Sequence, residues 1–279
     1  MLLFGVWVTG SAIVHAEDRP SRVVSIGGSV TEIVFLLDQQ ARLVARDTTS
    51  TFPSAAEALP DVGYMRSLSP EGVLSVDPLL IIAEQGAGPQ ETIDIMRAAR
   101  IPFITIPDGY NAEAVAEKIQ SVGKALGVSD EATALAAEVQ DEIHAATQSA
   151  ADAAALAGRK RVMFVLSTQG GKVMAAGQNT AADAIISMAA ADNAVQGIQG
   201  YKPLTDEAIT AAAPDVILIM ETTRDHQVEG TLKDIPAVRT TPAGKQDAIV
   251  KMDGLLLLGF GPRTGQAIAE LSSALYGDS

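Results

Sequence analysis

From residue 22 onward, short apolar runs alternate with stretches whose apolar positions recur every three or four residues. RVVSIG at 22–27 reads as a buried strand, and the same density of branched apolar residues returns in LLIIAE at 79–84, FITIP at 103–107, VMFVLS at 162–167 and VILIME at 216–221. Helical periodicity fills the intervals. Ser29-Val30-Thr31-Glu32 has the form of a capping box opening the helix that contains IVFLL. Strands alternating with helices predict α/β lobes with mainly parallel sheets.

The pattern is written twice. LSPEGVLSVDPLLIIAE at 68–84 matches LTDEAITAAAPDVILIME at 204–221. Ser69 pairs with Thr205, Glu71 with Glu207 and Pro78 with Pro214, each 136 positions later (205 − 69, 207 − 71, 214 − 78). In both copies a Ser/Thr N-cap opens a short helix, and a proline leads into a buried strand. Gly63-Tyr64 has a counterpart in Gly200-Tyr201, and Asp108-Gly109 in Asp253-Gly254. So long a period is not that of a solenoid unit and implies two similar lobes.

Between the copies lies SDEATALAAEVQDEIHAATQSAADAAALAG, capped at Ser129 or Asp130, with Leu135, Val139 and Ile143 as an apolar stripe and Gly158 as its stop. Such a helix is about 42 Å long, enough to run from one lobe to the other. The expected division is a leader at 1–16, an N-terminal lobe at 21–128, a connecting helix at 129–158 and a C-terminal lobe at 159–279. A stiff tether permits little closure and leaves a cleft between the lobes, where ligands usually bind.

Composition narrows the class of partner. With 20 Lys and Arg against 34 Asp and Glu, the net charge of −14 disfavours nucleic acid and anionic membrane. MLLFGVWVTGSAIVHAEDRP resembles a secretory h-region with cleavage after Ala16, although no Lys or Arg precedes it, consistent with a start lying further upstream. The absence of cysteine removes disulfides and thiolate metal sites. No G-x-S-x-G, H-E-x-x-H or Cys/His cluster is present, so nothing in the chain proposes an enzyme.

One residue does not fit the core pattern. Tyr64, in VGYMRSLSPEG, is one of 4 tyrosines in the chain and lies outside every apolar periodic run, two positions from Arg66. From the residues alone it either packs against the surface of its lobe or meets a ligand.

RVVSIGGSVTEIVFLL, DVGYMRSLSPEGVLSVDPLLI, MAAGQNTAADAI, GYKPLTDEAI and LLGFGPR together resemble the haemin-binding periplasmic proteins of bacterial ABC haem-uptake systems, over nearly all of residues 21–276. The scaffold is shared with siderophore and cobalamin carriers of the same helical-backbone class; the GYMR loop points to haem. The resemblance implies a periplasmic, monomeric carrier that delivers ferric haem b to an inner-membrane permease, with Tyr64 as axial ligand. Phenolate formation near neutral pH costs about 4 kcal/mol, which a bond to Fe(III) and the Arg66 guanidinium can offset. Tyrosine is an established type of haem ligand.

Two propionates call for cations or backbone donors. Arg66 is one, Arg224 just past VILIME is the next candidate, and Gly27-Gly28 offer N–H groups at a helix start, a weak anion site. Some family members carry a histidine in the C-terminal lobe where this chain has Thr168 and Gln169, which argues for one haem and one protein ligand. His15 and His144 have no evident role, and His226 is a solvated loop residue unless it reaches the cleft. The resemblance assigns Glu71 and Glu207 to docking on the permease, one per lobe. Without it, both are first-turn acids favoured by the helix dipole. Competing expectations are a ferric siderophore or cobalamin carrier and, least, a haem-processing enzyme.

Overall fold

The structure, a computed structural model, describes residues 21–168, 170, 172–221 and 225–277, with backbone alone for 225–227. The first lobe runs β1 (Val23–Ile26), α1 (Gly28–Leu36), β2 (Leu43–Arg46), α2 (Pro70–Leu74), β3 (Leu80–Glu84), α3 (Gln90–Ala98), β4 (Phe103–Ile106) and α4 (Ala112–Leu126). Its sheet has the order β2-β1-β3-β4 and is parallel throughout. Every residue of β1 and β3 is buried, as continuous apolar strands require.

Then α5 (Ser129–Ala157) leads into the second lobe: β5 (Arg161–Ser167), β6 (Met174–Ala176), α6 (Ala181–Met188), β7 (Asp192–Asn193), β8 (Tyr201–Pro203), α7 (Asp206–Ala212) and β9 (Val216–Glu221). After these come α8 (Asp225–Asp234), α9 (Pro236–Thr240), α10 (Pro242–Gln246), β10 (Ile249–Asp253), α11 (Gly254–Leu258) and α12 (Thr264–Tyr276). Here β10, β9 and β5 are parallel, β7 joins β5 in parallel, and β6 and β8 extend the sheet antiparallel. The two lobes therefore share their parallel centre and differ at one edge.

The repeat is structural as well as textual. The Ser69 hydroxyl accepts from the Gly72 N–H at 3.0 Å, and the Thr205 hydroxyl from the Ala208 N–H at 3.2 Å. After each helix a residue takes the left-handed conformation, Asp77 at φ 45° and Ala213 at φ 39°, again 136 apart (213 − 77). That turn redirects the chain into β3 or β9.

Helix α5 packs on α4 and on α12, so it touches both lobes. Val139 and Ile143 are buried in a single apolar cluster that runs from Val23 and Ile119 through α5 to Phe164 and Leu271. Leu135 lies at its margin. Close approach of α4 and α5 depends on Gly123: a Cβ there would stand 2.1 Å from that of Ala132.

Two expected caps are corrected. Helix α1 starts at Gly28 after Gly27 and has no side-chain cap, because Ser29 donates instead to Glu84 Oε1 at 2.8 Å and Glu32 receives Arg263 at 3.0 Å. Buried cations outcompete backbone N–H groups for those oxygens. Likewise Ser129 is the first helical residue of α5, behind an N-cap at Val128 with no side-chain bond.

Candidate functional site

Strands β1 to β4 point their carboxyl ends toward one rim, where ligands of open α/β sheets collect. The 62–68 loop is tied there by its backbone. Val62 N–H donates to Arg46 O at the end of β2, Gly88 N–H to Met65 O, and Leu68 N–H to Gly88 O beyond β3. A turn closes between the Ser67 N–H and Tyr64 O at 2.8 Å. Gly63 has φ 103°, which a side chain would strain. Val62, Met65 and Leu68 plug into the lobe, so the residues between them are turned outward. Tyr64 is 46% exposed, and Arg66 is exposed and enters no ion pair among the described residues. The phenol and the guanidinium are thus both presented to solvent on a turn held by backbone bonds.

The Arg66 charge is felt by tyrosines from both lobes. Tyr110, beyond β4, has its pKa raised by burial and then by the Asp108 carboxylate, with the Arg66 charge partly opposing. Tyr201, at the start of β8, is raised by burial first and then by Tyr110, while the Ala182 N–H, the Thr180 hydroxyl and Arg66 oppose. With burial as the largest influence on each, both phenols stay protonated near neutral pH. The Tyr110 ring lies 5.2 Å from that of Phe260 in the second lobe, tilted by 58°, and Tyr201 packs edge-on against Phe164 at 6.3 Å.

Beneath this rim the lobes are sealed together. Lys118 on α4 is fully buried and donates to Glu84 at 2.5 Å, Asp108 at 3.0 Å, Ser29 at 3.2 Å and the Gly259 carbonyl at 3.2 Å. Arg263 pairs with Glu32 and lies 3.6 Å above the Phe52 ring. Burial holds the Glu32 carboxyl above the usual carboxylate range despite the Arg263 bond. This seam corrects the expectation for Gly27 and Gly28. The Gly27 N–H is already taken by Asp47 Oδ1 at 2.9 Å, and a Cβ on Gly28 would strike Leu255 at 2.4 Å. Both are buried, so this helix start serves the junction of the lobes and offers no anion site.

The remaining candidates are scattered. Arg224, Gln169 and His15 lie outside the described residues, as does the side chain of His226 in α8. Thr168 follows β5 and is half-buried, and His144 is exposed on α5, 3.9 Å from Glu113. Glu71 and Glu207 are the second residues of α2 and α7, both exposed and in no ion pair among the described residues. The Glu207 carboxyl is lowered by its own N–H and the Thr205 hydroxyl. Cavities of about 280 and 330 Å3 border the starts of β9 and β10 (Ile217, Ile249) and of β5 (Arg161), at the end of the sheet away from the rim. Among the described residues no His, Cys, Asp and Glu cluster is built for a metal ion, and no helix is long and apolar enough to cross a membrane.

Sequence reasoning passed over Tyr110, Phe260 and Lys118. The recurrent Asp108-Gly109 pair was the available signal for the first, since it marks a strand-end loop in each lobe.

This two-lobed architecture, with a ligand rim and a stiff helix behind it, is that of a solute-capturing protein. The family model for periplasmic binding proteins matches residues 23–255, and the chain belongs to that family. It is a substrate-binding component of an ABC transporter that works outside the cytoplasm, not an enzyme. Among solved structures, the periplasmic heme-binding protein BhuT in complex with two hemes is 42% identical, with a TM-score of 0.83 over 91% of this chain and 97% of that one. RhuT, a periplasmic heme-binding protein from Roseiflexus sp. RS-1, is 39% identical at 0.87, covering 92% and 98%. A periplasmic heme binding protein from Pseudomonas aeruginosa is 32% identical at 0.85, covering 93% and 94%. The uncharacterized ABC transporter substrate-binding lipoprotein YvrC of Bacillus subtilis (strain 168) is 24% identical over 95% of this chain and 83% of its own length. The vitamin B12-binding protein of Yersinia pestis (strain Pestoides F) matches at 33% over 82 residues, 29% of either chain.

Proposed function

We propose that this protein is a monomeric periplasmic carrier of ferric haem b, exported by the 1–16 leader, and that Tyr64 is the protein ligand to the iron. The lobes at 21–128 and 159–279, joined by 129–158, are its two jaws. The observation that carries this reading is the exposed Tyr64 phenol on a braced turn, two residues from an unpaired Arg66. Arg66 stabilises phenolate and is positioned to meet a propionate, with Arg224 its proposed companion. The haem-binding relatives, similar over nearly the whole chain, support the same cargo. A short match to a vitamin B12-binding protein favours cobalamin as the second reading.

Titration of the unaltered protein with haemin tests both. We expect saturation at one equivalent and a five-coordinate, high-spin ferric spectrum with a tyrosinate charge-transfer band. Thr168 and Gln169 supply no imidazole for a second haem, although BhuT holds two. Saturation at two equivalents or a low-spin spectrum contradicts the single-ligand assignment. Cobalamin bound in preference to haemin overturns the haem reading itself.

Delivery needs a handle on each lobe. Glu71 and Glu207 occupy equivalent first-turn positions, exposed and unpaired among the described residues, and we assign them to the permease. Rim charges act chiefly on association rate and its salt dependence. The double variant Glu71→Ala, Glu207→Ala should therefore keep full haemin affinity while slowing haem transfer to the reconstituted importer about tenfold. Wild-type transport at low and physiological salt would return both residues to a helix-dipole role.

A further inference from the structure

We propose that Tyr110, braced by the tilted ring of Phe260, is an aromatic platform between the lobes on which a flat ligand lies, contacting the macrocycle rather than its iron. The inference rests on the haem reading and adds a specificity-determining residue to that site. Tyr110 is 40% exposed although it stands at the junction of two lobes, where its neighbours Phe260 and Lys118 are 1% and 0% exposed. A large ring half-covered between two lobes presents its free face to whatever enters.

The platform is held rigidly. Asp108 takes the Gly109 N–H at 2.9 Å and Lys118 at 3.0 Å, while Asn111 caps α4 through the Ala114 N–H at 2.8 Å. Gly109 allows no side chain, since a Cβ there would stand 2.6 Å from that of Ala114. On the opposite lobe, Phe260 adopts φ 43°, a conformation rare for a bulky residue and kept only where the surroundings enforce it. Such strain beneath an exposed ring is expected where geometry matters to a ligand. The same junction is tied a second time by the bond from Lys118, on the helix that follows the Tyr110 loop, to the Gly259 carbonyl. Ring and lobe junction therefore move as one.

Burial and the Asp108 carboxylate keep the Tyr110 phenol protonated, so it offers a π face and not an oxyanion. The Arg66 charge partly opposes the rise in the Tyr110 pKa, so the residue two positions after Tyr64 lies within electrostatic range of this hydroxyl. Aromatic faces discriminate by shape: a planar porphyrin gains full contact, whereas a ligand crowded on both faces gains little.

The test uses the full-length mature protein with haemin and with iron-free protoporphyrin IX, which has the same ring and no metal. Tyr110→Ala should weaken both ligands about tenfold, the loss of one aromatic contact. The charge-transfer band of the haemin complex should keep its position. Tyr110→Phe, which retains the ring and the Phe260 contact, should stay within about twofold of wild type. Tyr64→Ala should affect haemin alone. Unchanged affinity of Tyr110→Ala for both porphyrins, or an equal loss in Tyr110→Phe, overturns the platform while leaving the haem reading intact. Failure of the unaltered protein to bind either porphyrin overturns both.

Discussion

Tyr64→Ala is expected to abolish the tyrosinate-to-iron band and to weaken haemin binding by about a hundredfold or more, roughly 3 kcal/mol. The magnitude follows from the chemistry of the bond. Forming phenolate near neutral pH costs about 4 kcal/mol, so a complex that contains it must recover more than that from iron and from Arg66. Removing the phenol forfeits the surplus and leaves the iron with a weaker ligand such as water. The fold should not suffer. The turn is built by Gly63, Met65 and backbone bonds, while the Tyr64 ring is turned outward. Tyr64→Phe separates ring from oxygen and should lose the band as completely as alanine. A wild-type spectrum in either variant, with circular dichroism unchanged, would remove Tyr64 from the iron.

The second large effect is on stability. Lys118→Met should cost about 3–5 kcal/mol, because it strands the buried Glu84 carboxylate without its cation, while Asp108 keeps partial access to water. For a chain of this size that is a fall in Tm of roughly 10 °C. The contrast is Arg159, whose pair with Asp192 is half-exposed on both sides, and where alanine should cost less than about 1 kcal/mol. Adding Glu84→Gln to Lys118→Met removes a stranded charge and should restore part of the loss. An unaltered melting curve for Lys118→Met would mean that the buried cluster contributes nothing net. Lys118 also bonds the Gly259 carbonyl across the seam, so the single variant should loosen the junction of the lobes. Hydrogen exchange at Gly259 and Phe260 reads that directly.

Local features carried well from sequence to structure. The strands around Val23, Leu80, Phe103, Val162 and Val216 appear where apolar runs place them; in all but the edge strand at Phe103 the run is largely buried and needs no alternation to be recognised. The Ser69 and Thr205 caps appear because each hydroxyl finds its partners on its own helix, the Gly72 N–H for one and the Ala208 N–H and Glu207 carboxylate for the other. Ser29 and Glu32 failed as a capping box for the opposite reason. Lys118, 89 positions away from Ser29, and Arg263, 231 away from Glu32, compete for the same oxygens, and sequence distance conceals both. The edge strands β6, β7 and β8 are too short to leave a period in the chain.

The site divides in the same way. Tyr64 and Arg66 stood out because a tyrosine outside any apolar period either packs on the surface of its lobe or meets a ligand, and the structure leaves its ring exposed; the 136-residue repeat already implied two lobes with a cleft. The anion site at Gly27 and Gly28 was not legible, because the Asp47 carboxylate that fills it and the Leu255 side chain that covers it come from distant segments. The chain by itself determined two α/β lobes, a stiff helix between them and an exposed phenol beside a cation, all consequences of local period, capping and turn chemistry. Only the tertiary structure brought Tyr110 onto Phe260 and buried Lys118 between the lobes. Those contacts join residues that are 150 and 141 positions apart (260 − 110, 259 − 118), and no local propensity encodes a pairing made by the docking of two separately folded sheets.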